Sequence, residues 1–280
     1  MHFEFPSGEL RRAGATCNSN LMNWRVITTW NAAPGWNMAL DEALLHSPGE
    51  SPVLRLYTWS PDTLSLGYFQ RIQDVPAASA FRADAEGEPL PSGFRGGLPG
   101  ALVRRLTGGG AIHHTGELTF SITAPASHPL YRGPVELSYG RVHEAIAAAL
   151  SAAGVQATTR GDSRLASDVD STGMCFHKSA AVDLVWAGRK GVGSAQRRKG
   201  GRVLHHGSIK LAPTPLESGV ATVEEAGGSY TPESFAPLLL HAFRGAFGAT
   251  FTPSVPTEGE RDAARERAPF FRSKAFLERR

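Results

Sequence analysis

A chain of 280 residues, 41% apolar and 20% charged, has the material for a sizeable core and too little net charge for disorder. Its 29 Lys+Arg against 26 Asp+Glu leave a formal charge of only +3, too weak an excess to call for nucleic acid as a partner. Two cysteines, Cys17 and Cys175, cannot build a disulfide framework and point to a reducing cytoplasm, while the absence of a ~20-residue apolar run or an apolar leader argues against a membrane span and a secretory signal.

Residues 1–20 are polar and aperiodic and read as a flexible N-terminal arm. A β-branched and aromatic run at 24–30 predicts a strand. Pro34 then opens a helix with Trp36, Leu40, Ala43 and Leu44 on one face. Strands are expected at 53–59 and 63–68, and Pro61-Asp62 between them suggests a hairpin. Residues 84–100 hold five Gly and three Pro among 17 and read as a surface loop insertion. Strand signals resume at 101–106 and 117–124. A helix is expected over 136–153, burying Val142, Ile146, Ala149, Leu150 and Ala153.

After a polar stretch at 159–174, strands are predicted at 181–186 and 202–211, separated by the basic, glycine-rich segment 188–201. The next helix carries the strongest signals. Thr231 is a good N-cap, Pro232 suits the first turn, and Gly248 is a natural stop. Its apolar stripe is Phe235, Leu238, Leu239, Ala242, Phe243, Ala246 and Phe247. Residues 258–280 are mostly charged, with Phe270, Phe271 and Phe276 among them, and read as a peripheral helix or tail. The order of elements implies an α+β fold with a mostly antiparallel, mixed sheet flanked by helices, forming a single domain over 21–257.

Three segments could carry chemistry. The first runs from Arg104 to His114. Its triplet Gly108-Gly109-Gly110 lets a ligand approach the main chain, and the bland reading is a tight turn. It is neither a Walker A loop nor a dinucleotide fingerprint. The second holds Lys190 among glycines, where an ammonium could reach a reacting carbonyl; a lone Lys there is usually a solvated charge. The third, His205-His206, places adjacent rings on opposite faces of a strand, so both cannot ligate one metal, and no metal site is expected. Cys175 is followed by His177 and Lys178. Nearby cations would favour its thiolate, although a free cysteine is more often a small buried hydrophobe.

In this order, several motifs resemble the lipoate/octanoate branch of the biotin/lipoate protein ligase superfamily. They are Asn37 to Leu44, Leu54 to Pro61, Thr63 to Gln70, Arg105 to His114, Glu117 to Ser121, Gly188 to Arg197, and His206-Gly207-Ser208. Met174-Cys175-Phe176 is similar to the cysteine-dependent octanoyltransferases built on the ligase-like fold, and Glu117-Leu118-Thr119 looks like the transferase version. The resemblance implies a lipoate-ligase-like catalytic domain. It also implies transfer of octanoate from octanoyl-acyl carrier protein, through a Cys175 thioester, to a lysine of a lipoyl carrier domain. The carriers would be 2-oxoacid dehydrogenases or the glycine cleavage H protein.

By position, Cys175 and Lys190 would be catalytic. Arg105, Gly108, Gly109, Gly110, His114, Gly193, Ser194, Ala195 and His206 would bind substrate. No cofactor is implied. An ATP-dependent lipoate-protein ligase, which would need ATP and Mg, is the alternative, and a non-catalytic acyl-binding relative is the second. An acidic carrier would be met by Arg104, Arg197, Arg198, Lys199 and Arg202, unless these are a solvated loop. The acyl chain would lie between the strands around Leu64–Tyr68 and Phe120–Ile122. Lys190 or His114 would relay the amine proton.

Overall fold

The β-branched runs become strands and the helical-period runs become helices in the computed structural model, which describes residues 22–82, 100–162 and 164–279. The expected N-terminal arm and the insertion up to residue 99 lie outside the described residues. The chain opens with β1 (Met22–Ala32), α1 (Pro34–His46), β2 (Val53–Trp59) and β3 (Thr63–Leu66). Then come β4 (Phe81–Arg82), β5 (Gly100–Arg104), β6 (Ile112–His114), β7 (Glu117–Pro125), α2 (Val135–Ala152) and β8 (Thr158–Thr159). The second half holds β9 (Leu184–Trp186), β10 (Arg189–Lys199), β11 (Arg202–Lys210), α3 (Pro232–Phe247), β12 (Ala249–Pro253), α4 (Glu258–Arg267) and α5 (Lys274–Leu277). Among the described residues no helix is long and apolar enough to cross a membrane.

Eight strands form the main sheet, in the order β12-β1-β2-β7-β11-β10-β9-β8. β1 runs parallel to β12 and β2, and every other pairing is antiparallel. A smaller sheet has the order β4-β5-β3-β6. This is the mixed, mostly antiparallel α+β architecture expected, with one correction. β2 and β3 do not form a hairpin: β2 pairs with β1 and β7, whereas β3 pairs with β5 and β6. The Pro61-Asp62 turn hands the chain from one sheet to the other. Turn residues specify a change of direction, not a partner, and all four residues of β3 are buried inside the second sheet.

The segment 188–201 is a second correction, because it is not a connection. It is β10, paired with β11 from Val192↔Ile209 to Lys199↔Arg202. Only Gly200-Gly201, both at positive φ, make the turn, as a two-residue hairpin requires. The internal glycines mark close approach. A Cβ on Gly191 would lie 1.9 Å from the Trp186 ring, and one on Gly193 would lie 2.8 Å from Lys190 Cε.

The sheet is covered on both faces. On one, Trp24, Leu54, Leu56, Phe120 and Ile122 pack against Val142 and Ile146 of α2 and Leu239 and Phe243 of α3. Burying each such side chain contributes about 1.5–3 kcal/mol. The Thr231 capping box adds roughly 1 kcal/mol at the start of α3, and Gly248 ends it in the left-handed region.

On the other face, α1 packs on Val53, Tyr57 and Trp59, and the C-terminal segment completes this layer. That segment is more than a peripheral tail. Ala264, Phe271 and Phe276 are buried beside Leu40 and Leu44. Arg104 clamps it in place: Nε donates to Phe276 O at 2.7 Å, Nη2 to Leu277 O, and Nη1 to Gly67 O and Gln70 O, both at 2.6 Å. Arg104 is wholly buried, so it is not a docking residue.

β7 explains where a site can form. Leu118, Phe120, Ile122 and Ala124 face the α2/α3 core, while the alternate residues Glu117, Thr119, Ser121 and Thr123 are polar and equally buried. On this polar face beneath α1, Glu117, Thr119 and Ser121 find polar partners, and these surround a cavity.

Candidate active site

Between β5 and β6 lies the glycine triplet, and Arg105 organises it. This guanidinium, 2% exposed, donates to Ser65 O at 3.1 Å, to Gly108 O at 2.8 Å and to Gly110 O at 2.6 Å. Gly109 has φ +94°, which favours glycine. Ala111 N–H donates to Gly173 O at 2.8 Å, and Cys175 N–H donates to Ala111 O at 2.7 Å. A Cβ on Gly110 would stand 2.8 Å from both Cys175 N and Gly173 O, and one on Gly109 would stand 3.8 Å from Cys175 Sγ. The triplet therefore lets the cysteine segment lie directly on the loop backbone. Gly110→Ala should displace Cys175 and cost about 1–3 kcal/mol by overpacking. Alkylation of Cys175 by a bulky thiol reagent should change rate severalfold while the circular dichroism spectrum persists; an unchanged alkylation rate would count against this role for Gly110.

Lys190 meets Cys175 from β10, beside a register shift between Lys190 and Val192. Its Nζ lies 3.8 Å from Cys175 Sγ. The ammonium donates to Cys175 O at 3.0 Å, Lys178 O at 3.2 Å and Asp183 Oδ2 at 2.8 Å. The side chain is 3% exposed. Burial pulls its pKa down, but the sulfur and the Asp183 carboxylate outweigh burial and hold it above the usual lysine value. Lys190 is thus a fixed cation. Phe176, fully buried, lies 5.1 Å from this ammonium and 4.7 Å from that of Lys210.

A narrow cavity of about 40 Å³ starts at Cys175 and runs under α1. Met38, Tyr57, Trp59, Ile112 and His114 line it, with Arg105, Gly108 and Gly109 on one side and Gly193, Ser194, Ala195 and His206 on the other. Cys175, Gly109 and Ser194 also line an open outer groove that holds Gly110, Lys178, Asp183 and Lys190. The sulfur therefore sits where an apolar slot meets solvent. The expected walls are corrected. Leu64–Tyr68 do not line the slot, and Phe120 and Ile122 point into the opposite core, because the even-numbered residues of β7 face α2 and α3.

The cavity floor is a polar network. His114 stacks on Trp59 with ring centroids 4.1 Å apart; its Nδ1 lies 2.6 Å from Glu117 and its Nε2 2.8 Å from Ser65 Oγ. Both nitrogens are engaged, and His114 forms a wall of the slot without reaching the outer groove. His206 Nε2 lies 2.5 Å from Thr107 Oγ1, and its Nδ1 lies 3.6 Å from Asp41. Asp41 is paired with Arg55 and accepts from Tyr57 Oη at 3.0 Å and Ser121 Oγ at 2.7 Å. Burial pushes Asp41 up, but Arg55, His206 and the Ser121 hydroxyl hold it below the usual carboxylate value. Lys210 bridges Glu117 at 2.6 Å and Glu217 at 2.5 Å.

Motif reading missed Asp41, Arg55, Asp183, Lys210 and Glu217. Two signals were there to find: Asp41 interrupts an apolar helix run, and Arg55 stands inside an apolar strand. Among the described residues no three His, Cys, Asp or Glu are grouped to hold a metal ion.

Burial lowers the pKa of His113 to about 4 and also lowers those of His114, His143, His205 and His206. A histidine kept neutral by the fold has a folded pKa below its unfolded value of ~6.5. The stability it contributes is complete above that pH and is lost as the pH falls towards the folded value. Thermal midpoints should decline steadily below pH ~6.5. A flat profile down to about pH 4 would show that these rings do not resist protonation.

The lipoyl protein ligase A/B catalytic domain matches residues 33–240. The chain is 33% identical over 282 residues to an octanoyltransferase LipM of Moorella thermoacetica, covering 92% of this chain and 98% of that protein. It is 33% identical over 276 residues to an octanoyltransferase LipM of Kyrpidia tusciae, covering 88% and 95%. In fold it is similar to a bipartite lipoate protein ligase of Thermoplasma acidophilum, solved in a study of that enzyme and its E2 lipoyl domain. The TM-score is 0.67 at 21% identity, covering 92% of this chain and 98% of the other.

Proposed function

The chain belongs to the lipoyl protein ligase A/B catalytic domain family, and from that premise we propose that it transfers octanoate through a thioester on Cys175. It is an acyltransferase acting in protein lipoylation by octanoyl transfer. The donor in this reading is octanoyl-acyl carrier protein. The acceptor is a lysine of a lipoyl domain in a 2-oxoacid dehydrogenase or of the glycine cleavage H protein. The setting is the cytoplasm, where the thiol stays reduced.

One observation carries the proposal: Cys175 Sγ lies 3.8 Å from a buried ammonium, at the mouth of an apolar slot. The nucleophile of a cysteine is its thiolate, and here the sulfur and the cation share one end of the slot. The thiolate attacks the donor carbonyl, and the acyl chain enters the slot between Met38, Tyr57, Trp59 and Ile112. At ~0.8 kcal/mol per buried CH₂, an eight-carbon chain gains several kcal/mol there.

Charge then develops on the carbonyl oxygen. Lys190 can donate to it by exchanging one of its two main-chain partners, Cys175 O or Lys178 O, while Asp183 keeps it oriented. Bond energy comes from the donor thioester, so this route takes no nucleotide and no metal.

Incubation with octanoyl-acyl carrier protein should give an octanoyl adduct on Cys175, seen by mass spectrometry, that chases onto an added lipoyl domain. Pyrophosphate release from lipoate and ATP with no adduct would replace the proposal with a ligase.

A further inference from the structure

Forming an amide from a lysine amine liberates a proton, and neither expected acceptor is placed to take it: Lys190 is an ammonium paired with Asp183, and His114 lines the slot but not the outer groove from which an amine would arrive. Another group stands against β10. Ser194 lines both the slot and the outer groove together with Cys175. It follows Gly193, on which Lys190 packs so closely that a Cβ there would meet Nζ at 3.0 Å. Its hydroxyl lies 2.7 Å from His143 Nε2 and 2.9 Å from His205 Nε2.

The partners dictate where the hydrogens are. His143 Nδ1 faces the Val182 carbonyl and must carry a hydrogen, so its Nε2 is a free acceptor. His205 Nδ1 receives the Gln196 amide at 3.2 Å, so its Nε2–H donates to Ser194. The Gln196 orientation is set independently by its donation to Ser138 Oγ at 2.8 Å and its acceptance from Arg198 at 3.4 Å. One arrangement satisfies every contact: His205 donates to Ser194, and Ser194 donates to His143. His143 is fully buried on α2, in a helix face otherwise used for packing.

We propose that Ser194 and His143 form a proton relay for the amide-forming half of the reaction, a role that rests on the Cys175 thioester. The amine nitrogen attacks the thioester carbon, a C–N bond forms, and the C=O π pair moves to oxygen. A proton leaves the nitrogen for Ser194 Oγ as the hydroxyl proton moves to His143 Nε2, giving an imidazolium. The oxyanion then collapses, the C–S bond breaks, and its electron pair leaves as the Cys175 thiolate. In the next loading step the relay returns its proton to the departing carrier thiolate, so the cycle closes.

The test separates nucleophiles that lose a proton from those that do not. Octanoyl-enzyme is isolated for wild type, Ser194→Ala and His143→Gln, and each is mixed with a lipoyl domain or with a small thiol at a pH where it is thiolate. The ratio of amine to thiolate transfer should fall about 10²-fold in both variants. Equal slowing of both nucleophiles would reduce the pair to structural support and overturn the relay, as would an unchanged ratio. If wild-type enzyme forms no octanoyl adduct at Cys175, the thioester reading fails first and the relay falls with it.

Discussion

Cys175→Ser should abolish the octanoyl adduct and lower transfer to a lipoyl domain by at least ~10⁴-fold, the scale expected when a covalent nucleophile is removed. The substitution keeps nearly the same shape in a half-buried position. It keeps the main-chain bond from residue 175 to Ala111 O, and the Cys175 carbonyl still accepts from Lys190. What changes is nucleophilicity. Sulfur is intrinsically the stronger nucleophile, whereas a hydroxyl needs an adjacent general base. Lys190, 3.8 Å from the sulfur, is held protonated and does not serve as that base. The fold should therefore persist, with a thermal midpoint near wild type, while mass spectrometry shows no acyl-enzyme. Normal transfer by the serine variant would remove Cys175 as the nucleophile.

The fold was legible where local chemistry and burial agree. The apolar period of α3, its Thr231 cap and its Gly248 stop all specify one helix, and the structure places it within a residue of the reading. β10 was illegible for a physical reason. Its glycines carry the statistics of a loop, yet they are present because Trp186 and Lys190 occupy the space of their absent side chains. The pairing of β2 and β3 depended on which sheet would bury each strand, and no local signal carries that.

The site divides in the same way. Cys175 and Lys190, singled out by motif, come together 3.8 Å apart in the fold. Asp183, Lys210 and Glu217 were not legible, because each gains meaning only from a partner distant in the chain. Asp183 is a surface-type residue in sequence and is 4% exposed in the fold.

That partnership makes Lys190→Ala a prediction with two separate parts. Turnover should fall about 10²–10³-fold, the cost of one lost donor to a developing oxyanion. Stability should fall as well. Asp183 would keep the Ala180 N–H at 2.7 Å but lose the cation at 2.8 Å, and breaking a buried ion pair on one side costs about 3–5 kcal/mol. Removing both partners avoids the stranded carboxylate, so Lys190→Ala with Asp183→Ala should regain much of that stability while turnover stays low. Denaturant midpoints and single-turnover rates, measured on the same preparations, separate the two effects. If the double variant recovers turnover along with stability, Lys190 only supports the fold around Cys175, and the oxyanion must be stabilised by something else. If it recovers stability alone, the ammonium acts on the reacting carbonyl, and Asp183 is the group that holds it there.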